Sequence, residues 1–205
     1  MKLSTVFRII MIAGFLGWAS SASAAQDAQD ETATHAKIQT SKGDIVVELY
    51  PEKAPKTVAN FLRYATEGKY DRTIFHRVVK GFVIQGGGFS RLLTERGKYD
   101  PIPYEGDNGL KNKRGTLAMA RSDDPDSAQA QWFINLRDNP KLDHDVTEIG
   151  PIYGYTVFGR VVEGMDVADA IGQVETGPKG VFDAEVPVEP VFIERVDPIE
   201  WPEAE

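Results

Sequence analysis

Between residues 36 and 50 apolar and polar positions alternate. Ala36 to Thr40 and Asp44 to Tyr50 read as two strands, with Ser41-Lys42-Gly43 as the turn of a hairpin. The period then lengthens. Val58, Phe61, Leu62 and Ala65 fall at i, i+3, i+4 and i+7 behind Pro55, which suits a first helical turn, and Gly68 supplies the stop. Short strand-like runs follow at Thr73 to Val79, Phe82 to Gln85, Gly115 to Met119, Gln131 to Leu136 and Val157 to Val162. Val167, Ala168 and Ile171 share a helical face and predict a short helix over Asp166 to Ile171. A last strand, Val191 to Val196, precedes an acidic tail ending at Glu205. Several strands with two helices predict an antiparallel barrel plugged by those helices. Arg91 to Arg114 breaks the pattern with Gly97, Pro101, Pro103, Gly106 and Gly109, and predicts a long loop of the functional or mobile kind. No internal repeat is present. Pattern alone stops at a β-rich single domain of open function.

The first two dozen residues obey a different rule. Lys2 and Arg8 make a basic start, Ile9 to Trp18 form an apolar run, and Ala22-Ser23-Ala24 fits a small-residue cleavage pattern with cutting before Ala25. The run is about half of the ~20 residues a bilayer-spanning helix needs, so a cleaved signal peptide is expected rather than an anchor. Residues 25–35 then read as a disordered leader, 36–197 as the domain and 198–205 as the tail. With 205 residues, 41% hydrophobic and 26% charged, one soluble domain is expected.

Charge and cysteine content narrow the picture. The chain has 23 Lys+Arg against 31 Asp+Glu; losing Lys2 and Arg8 leaves the mature form at about −10. Such a surface disfavours nucleic acid and anionic lipid. Without cysteine the chain forms no disulfide, does no thiol chemistry and carries no lipid-anchored cysteine. A bacterial periplasm is the expected destination, with full secretion the alternative. Nothing points beyond a monomer.

Four blocks carry the chemistry. They are Phe75-His76-Arg77-Val78-Val79-Lys80-Gly81-Phe82-Val83-Ile84-Gln85-Gly86-Gly87, Leu117-Ala118-Met119-Ala120-Arg121, Gln131-Trp132-Phe133-Ile134 and Tyr155-Thr156-Val157-Phe158-Gly159-Arg160-Val161. Strand alternation puts Val83 and Gln85 on one face, and Gln131 and Phe133 on one face. Two neighbouring strands can so present an apolar patch edged by amides, suited to a short peptide bearing a proline ring. Taken singly, Phe82 and Phe133 could equally be core residues.

In their order and length these blocks resemble the signatures of the cyclophilins, from about Ala36 to Val196. Asp107-Asn108-Gly109-Leu110 and Leu142-Asp143-His144 resemble the periplasmic branch of Gram-negative bacteria. The resemblance implies a mainly β fold, a closed antiparallel eight-stranded barrel capped by two helices. It implies a peptidyl-prolyl cis-trans isomerase without cofactor or metal, acting on proline-containing unfolded or folding polypeptides. Arg77 falls at the family's catalytic position. Phe82, Val83, Phe133 and Leu142 would line the proline pocket, and Gln85 would hold a substrate carbonyl. The backbone at Arg121 would pair with the peptide, Ala120 and Gln131 would border a neighbouring pocket, and Tyr155 would close one side. Val83 stands where many relatives carry Met, Arg121 replaces a common Asn, and Gly88 replaces a usual Asp. Lys141 stands where eukaryotic relatives carry a Trp that contacts cyclosporin, so weak affinity for that inhibitor is expected.

The role of Arg77 has a physical reason. Partial double-bond character gives the peptide C–N bond a rotation barrier of about 18–20 kcal/mol, and uncatalysed X-Pro exchange takes tens to hundreds of seconds. At the twisted transition state the proline nitrogen recovers a lone pair. A guanidinium N–H aimed there stabilises that state above the planar ground state. A 10⁴-fold acceleration asks for about 5.5 kcal/mol, within reach of one charged donor combined with positioning.

Other chemistries lack parts. There is no G-x-S-x-G elbow, H-E-x-x-H or P-loop. His35, His76 and His144 lack metal-ligand spacing, and Asp143-His144-Asp145 reads as a solvated turn. Gly86-Gly87-Gly88 has no following Lys-Ser/Thr for a phosphate cradle. The alternative to the isomerase is a noncatalytic proline-peptide binder or holdase, which would have no use for Arg77.

Overall fold

The computed structural model describes residues 34–201; the expected signal peptide, the leader as far as residue 33 and the tail from residue 202 lie outside the described residues. The opening hairpin forms as β1 (His35–Thr40) and β2 (Gly43–Leu49). β1 starts one residue earlier than the alternation predicts, because His35 finds partners on both sides, Glu48 and Ile199. The helix predicted next is α1 (Pro55–Thr66), with Val58, Phe61, Leu62 and Ala65 all buried. Gly68, at φ 62°, takes up the left-handed turn that ends it.

The strands β3 (Thr73–Ile74), β4 (Arg77–Val79), β5 (Val83–Gly86), β6 (Thr116–Met119) and β7 (Trp132–Asn135) follow, then a small hairpin of β8 (Asp145–Thr147) and β9 (Gly150–Ile152). After β10 (Val157–Glu163) comes α2 (Met165–Ile171), then a second hairpin of β11 (Thr176–Lys179) and β12 (Phe182–Pro187), and last β13 (Phe192–Ile199). The final strand runs three residues past Val196, paired to the start of β1.

One antiparallel sheet runs β3-β13-β1-β2-β10-β6-β7-β5-β4. Its two edge strands are pieces of the single stretch predicted at Thr73 to Val79, parted by Phe75 and His76. Because β3 pairs with β13 and β4 pairs with β5, the sheet curls until its edges meet in that stretch. With the divided stretch taken once, these are the eight strands of the expected fold.

Alternation then sorts the side chains into two clusters. Ile38, Ile45, Val47, Ile84, Leu117, Trp132 and Ile134 join the inner core beneath the helices. There the Phe61 ring meets Tyr70, Trp132 and Phe158 at 5.3–6.0 Å, while Ala168 and Ile171 bring α2 onto the same core. Their neighbours in sequence, Val83, Ala118 and Phe133, turn the other way and build a separate cluster with Val157 on the barrel's outer face.

The two small hairpins were not legible as strands. β8 and β9 are short and almost wholly exposed, and β11 carries Gly177 and Pro178, so neither shows alternation. The long loop after Arg91 is tied down. Tyr64 Oη accepts from Tyr99 N at 2.8 Å, the Arg63 guanidinium lies 3.6 Å above the Tyr99 ring, and Tyr99 Oη donates to Glu67. Further along, the Glu105 carboxylate accepts from Lys56 N and Thr57 N at 3.1 and 2.9 Å.

Candidate active site

The outer cluster opens into a cleft of about 370 Å³ lined by Arg77, Phe82, Val83, Gln85, Ala120, Arg121, Phe133, Leu142 and Tyr155. Nine of the ten residues expected to form the site therefore share one cavity. The tenth, Gln131, lines an adjoining compartment of similar volume together with Gln85, Ala120 and Arg121. A larger hollow of about 790 Å³ lies between α1 and Lys98 to Ile102, and takes in none of these residues.

Register places each wall. β4 and β5 set Arg77 opposite Gln85, β5 and β7 set Gln85 opposite Phe133, and β6 sets Ala118 opposite Phe133. Phe133 and Val83 are buried, forming the floor, and Phe82 is half-buried at the side. The Tyr155 ring stands edge-on to Phe133 at 5.4 Å. Gln85 Nε2 donates to Gln131 Oε1 at 3.0 Å, joining the two amides across the mouth between compartments. A Cβ at residue 88 would come within 2.4 Å of Gln131 Cγ. The glycine that replaces the usual Asp thus leaves room for Gln131, an effect its sequence position did not reveal.

Three buried asparagines hold the walls together. Asn139 Nδ2 donates to Phe82 O at 3.2 Å and to Asn135 Oδ1 at 2.7 Å. Asn135 Nδ2 donates to Asn112 Oδ1, and Asn112 Nδ2 donates to Leu142 O at 2.9 Å. Two sides of the proposed proline pocket are thereby linked through one polar chain. Sequence reasoning missed it, since three asparagines spread over 28 positions carry no local signal.

Arg121 does more than its expected main-chain role. Its guanidinium donates to the carbonyls of Gly154, Ser122, Asp123 and Tyr153, and lies 5.1 Å above the Tyr155 ring. It ties the base of the β8–β9 hairpin to the cleft. Its own amide and carbonyl make no backbone hydrogen bond among the described residues. Asp143, at the expected solvated turn, accepts from Asn112 N at 2.7 Å, and the His144 ring packs beside Tyr104 and Tyr153. Lys141 is exposed beside Leu142.

Arg77 combines two environments. Its Nε donates to Glu185 Oε2 at 2.7 Å, while its two terminal nitrogens make no hydrogen bond among the described residues. Arg77 still lines the cleft, together with Phe82 and Gln85. Glu185 comes from β12 and had no place in the expected site. Next in sequence to Arg77, His76 is buried, and burial followed by the Arg77 charge push its pKa down to about 4.

Comparison with known proteins agrees with this geometry. The family model for cyclophilin type peptidyl-prolyl cis-trans isomerases matches residues 35–197. The peptidyl-prolyl cis-trans isomerase cyp18 of Streptomyces antibioticus is 53% identical over 159 residues, covering 77% of this chain and 94% of its own. Peptidyl-prolyl cis-trans isomerase B of Escherichia coli K12 is 52% identical over 159 residues, covering 78% and 96%. A crystal structure of a Cryptosporidium parvum cyclophilin with the dipeptide Ala-Pro superposes with a TM-score of 0.61 at 28% identity, covering 81% of this chain and 99% of that one.

Proposed function

The chain belongs to the cyclophilin-type peptidyl-prolyl cis-trans isomerases, and we propose that it turns X-Pro bonds in exported polypeptides, with Arg77 as the donor to the proline nitrogen. The isomerase activity follows from the family. The proposal concerns the residues and the place of action.

In this reading the proline ring enters the pocket of Phe82, Val83, Phe133 and Leu142, where burial holds it still. The Gln85 amide and the backbone of Arg121 fix the flanking peptide units. Rotation about the X-Pro bond then swings the carbonyl that precedes proline while the ring stays in place. A terminal N–H of Arg77 donates to the pyramidal proline nitrogen, an interaction the planar ground state cannot match because its lone pair is delocalised. No covalent bond forms and no proton is transferred. The observation that carries the reading is that Arg77 shares one cavity with Phe82, Phe133 and Gln85 while its terminal nitrogens make no hydrogen bond among the described residues. A noncatalytic binder would use the same apolar floor without such a donor.

A proline-limited peptide assay on wild type and Arg77→Ala tests it. The variant should lose about a hundredfold or more in kcat/KM, the range for removing one preorganised donor, with the fold intact by circular dichroism. Equal rates would overturn the assignment of Arg77.

Export rests on Lys2, Arg8, Ile9 to Trp18 and Ala22-Ser23-Ala24. Expressed with its own N-terminus in a Gram-negative host, the protein should appear in the periplasmic fraction with a mass that begins at Ala25. Full-length protein confined to the cytoplasm would rule this out.

A further inference from the structure

From the β11–β12 hairpin, we infer that Glu185 is a positioning residue for Arg77: its carboxylate holds Nε so that the two terminal nitrogens point at the substrate. The inference rests on the reading of Arg77 as the donor and adds to it the part that aims the donor.

Two independent features meet at Glu185. The first is the contact. Glu185 Oε2 accepts from Arg77 Nε at 2.7 Å across 108 positions of sequence, with both side chains only partly exposed. Among the described residues this is the single hydrogen-bonding partner of the guanidinium. A long side chain with one fixed nitrogen keeps less rotational freedom than a free one, and catalysis by a donor depends on its aim.

The second feature is the backbone. Glu185 has φ 69°, a left-handed conformation that a residue with a side chain adopts at a cost. It lies where the hairpin ladder slips. Gly177 pairs with Val186 and Lys179 with Phe182, so β12 spends four steps where β11 spends two. A bulge of this kind turns a side chain out of its strand alternation. On either side the strand is fixed to the barrel. The Phe182 ring packs 5.3 Å from Phe89 and 5.8 Å from His76, and Val186 is buried. The strain sits between two anchors, at the residue that reaches Arg77.

A carboxylate there orients the guanidinium and offsets part of its charge. Orientation should dominate, because the donor is needed at one place for one short-lived geometry. A neutral acceptor of similar length should therefore keep most of the activity, and removal of the side chain should not.

The left-handed backbone makes a clean test possible, because glycine adopts φ near 69° without strain. Glu185→Gly should fold with an unchanged or slightly higher thermal midpoint, yet lose about tenfold in kcat with KM nearly unchanged. Glu185→Gln should recover most of that loss. In NMR spectra the Arg77 Nε–Hε signal should shift in Glu185→Gly. On an Arg77→Ala background, Glu185→Gly should produce no further loss. Wild-type kcat in Glu185→Gly, or an equal loss on both backgrounds, would overturn the inference. Wild-type activity in Arg77→Ala alone would instead sink the donor reading on which it stands, so the two failures are distinguishable.

Discussion

His76 shows how one buried side chain sets a pH limit. Its ring lies 4.6 Å from Phe89 and 5.8 Å from Phe182, away from water, and beside a permanent positive charge. With a folded pKa of about 4 against an ordinary 6.5, the unfolded chain binds more protons between those values. Stability is then complete above about pH 6.5 and falls as the pH drops toward about 4, by about 3 kcal/mol for this residue. Urea unfolding across that range should show the decline, and His76→Gln should remove most of the part that lies above pH 5. A flat kcat/KM is expected between about pH 6 and 9, since donation from Arg77 transfers no proton and His76 stays neutral there. A bell-shaped profile would contradict donation without proton transfer. At the rim, exposed Lys141 offers cyclosporin no ring to pack against, and calorimetry should detect no nanomolar binding.

At the scale of elements, local pattern and distant contact divide the labour. α1 was readable because its four apolar positions repeat within the helix. Its N-terminus was not. Ala54 supplies no side-chain cap, and Glu105, about fifty residues on, serves the free N–H groups of Lys56 and Thr57 instead. Glu105→Ala should cost about 1–2 kcal/mol in chemical denaturation, from the lost hydrogen bonds and the lost charge at the helix N-terminus. The asparagine chain is a stronger case, since every member is buried. Asn112→Ala removes the donor to Leu142 O and leaves Asn135 with one acceptor fewer. About 2–4 kcal/mol of stability should go with it. A larger KM for proline peptides should accompany that loss, because the Leu142 wall would no longer be fixed relative to Phe82.

For the whole molecule, charge and topology point in different directions. The chain is acidic, with a net charge of −8, yet the two compartments of the cleft are lined by Arg77, Arg121 and Lys98 with no acidic side chain among the lining residues. Peptides with an acidic residue ahead of the X-Pro pair should bind better than basic ones. A difference of about threefold in KM at low salt, shrinking at 1 M salt, is expected for screened contacts of this kind. No difference between the peptides would show that Glu95, which pairs with Lys98 at 2.9 Å, Glu185 beside Arg77 and the carbonyls around Arg121 already neutralise these cations. β6, β7, β5 and β4 are consecutive neighbours in the sheet, so the floor and Arg77 are brought together by strand pairing alone, with Arg77 opposite Gln85. Curling of the sheet adds the meeting of its two edges in the stretch that carries Arg77.

Periodicity was enough to specify the eight main strands, both helices and which residues of β5 and β7 would share a face, because those properties repeat within a few residues of each other. The signature blocks likewise announced Arg77, Phe82, Gln85 and Phe133, since each sits inside a run whose neighbours are constrained by the same strand. Glu185, the asparagine chain and the Glu105 cap were beyond such reading. Each depends on a bond between residues at least 23 positions apart, and 108 in the case of Glu185, and sequence spacing says nothing about which distant groups a closing barrel will press together. Hydrogen bonds of that kind are chosen by the folded geometry, which offers a buried donor whatever acceptor the topology has carried within 3 Å of it.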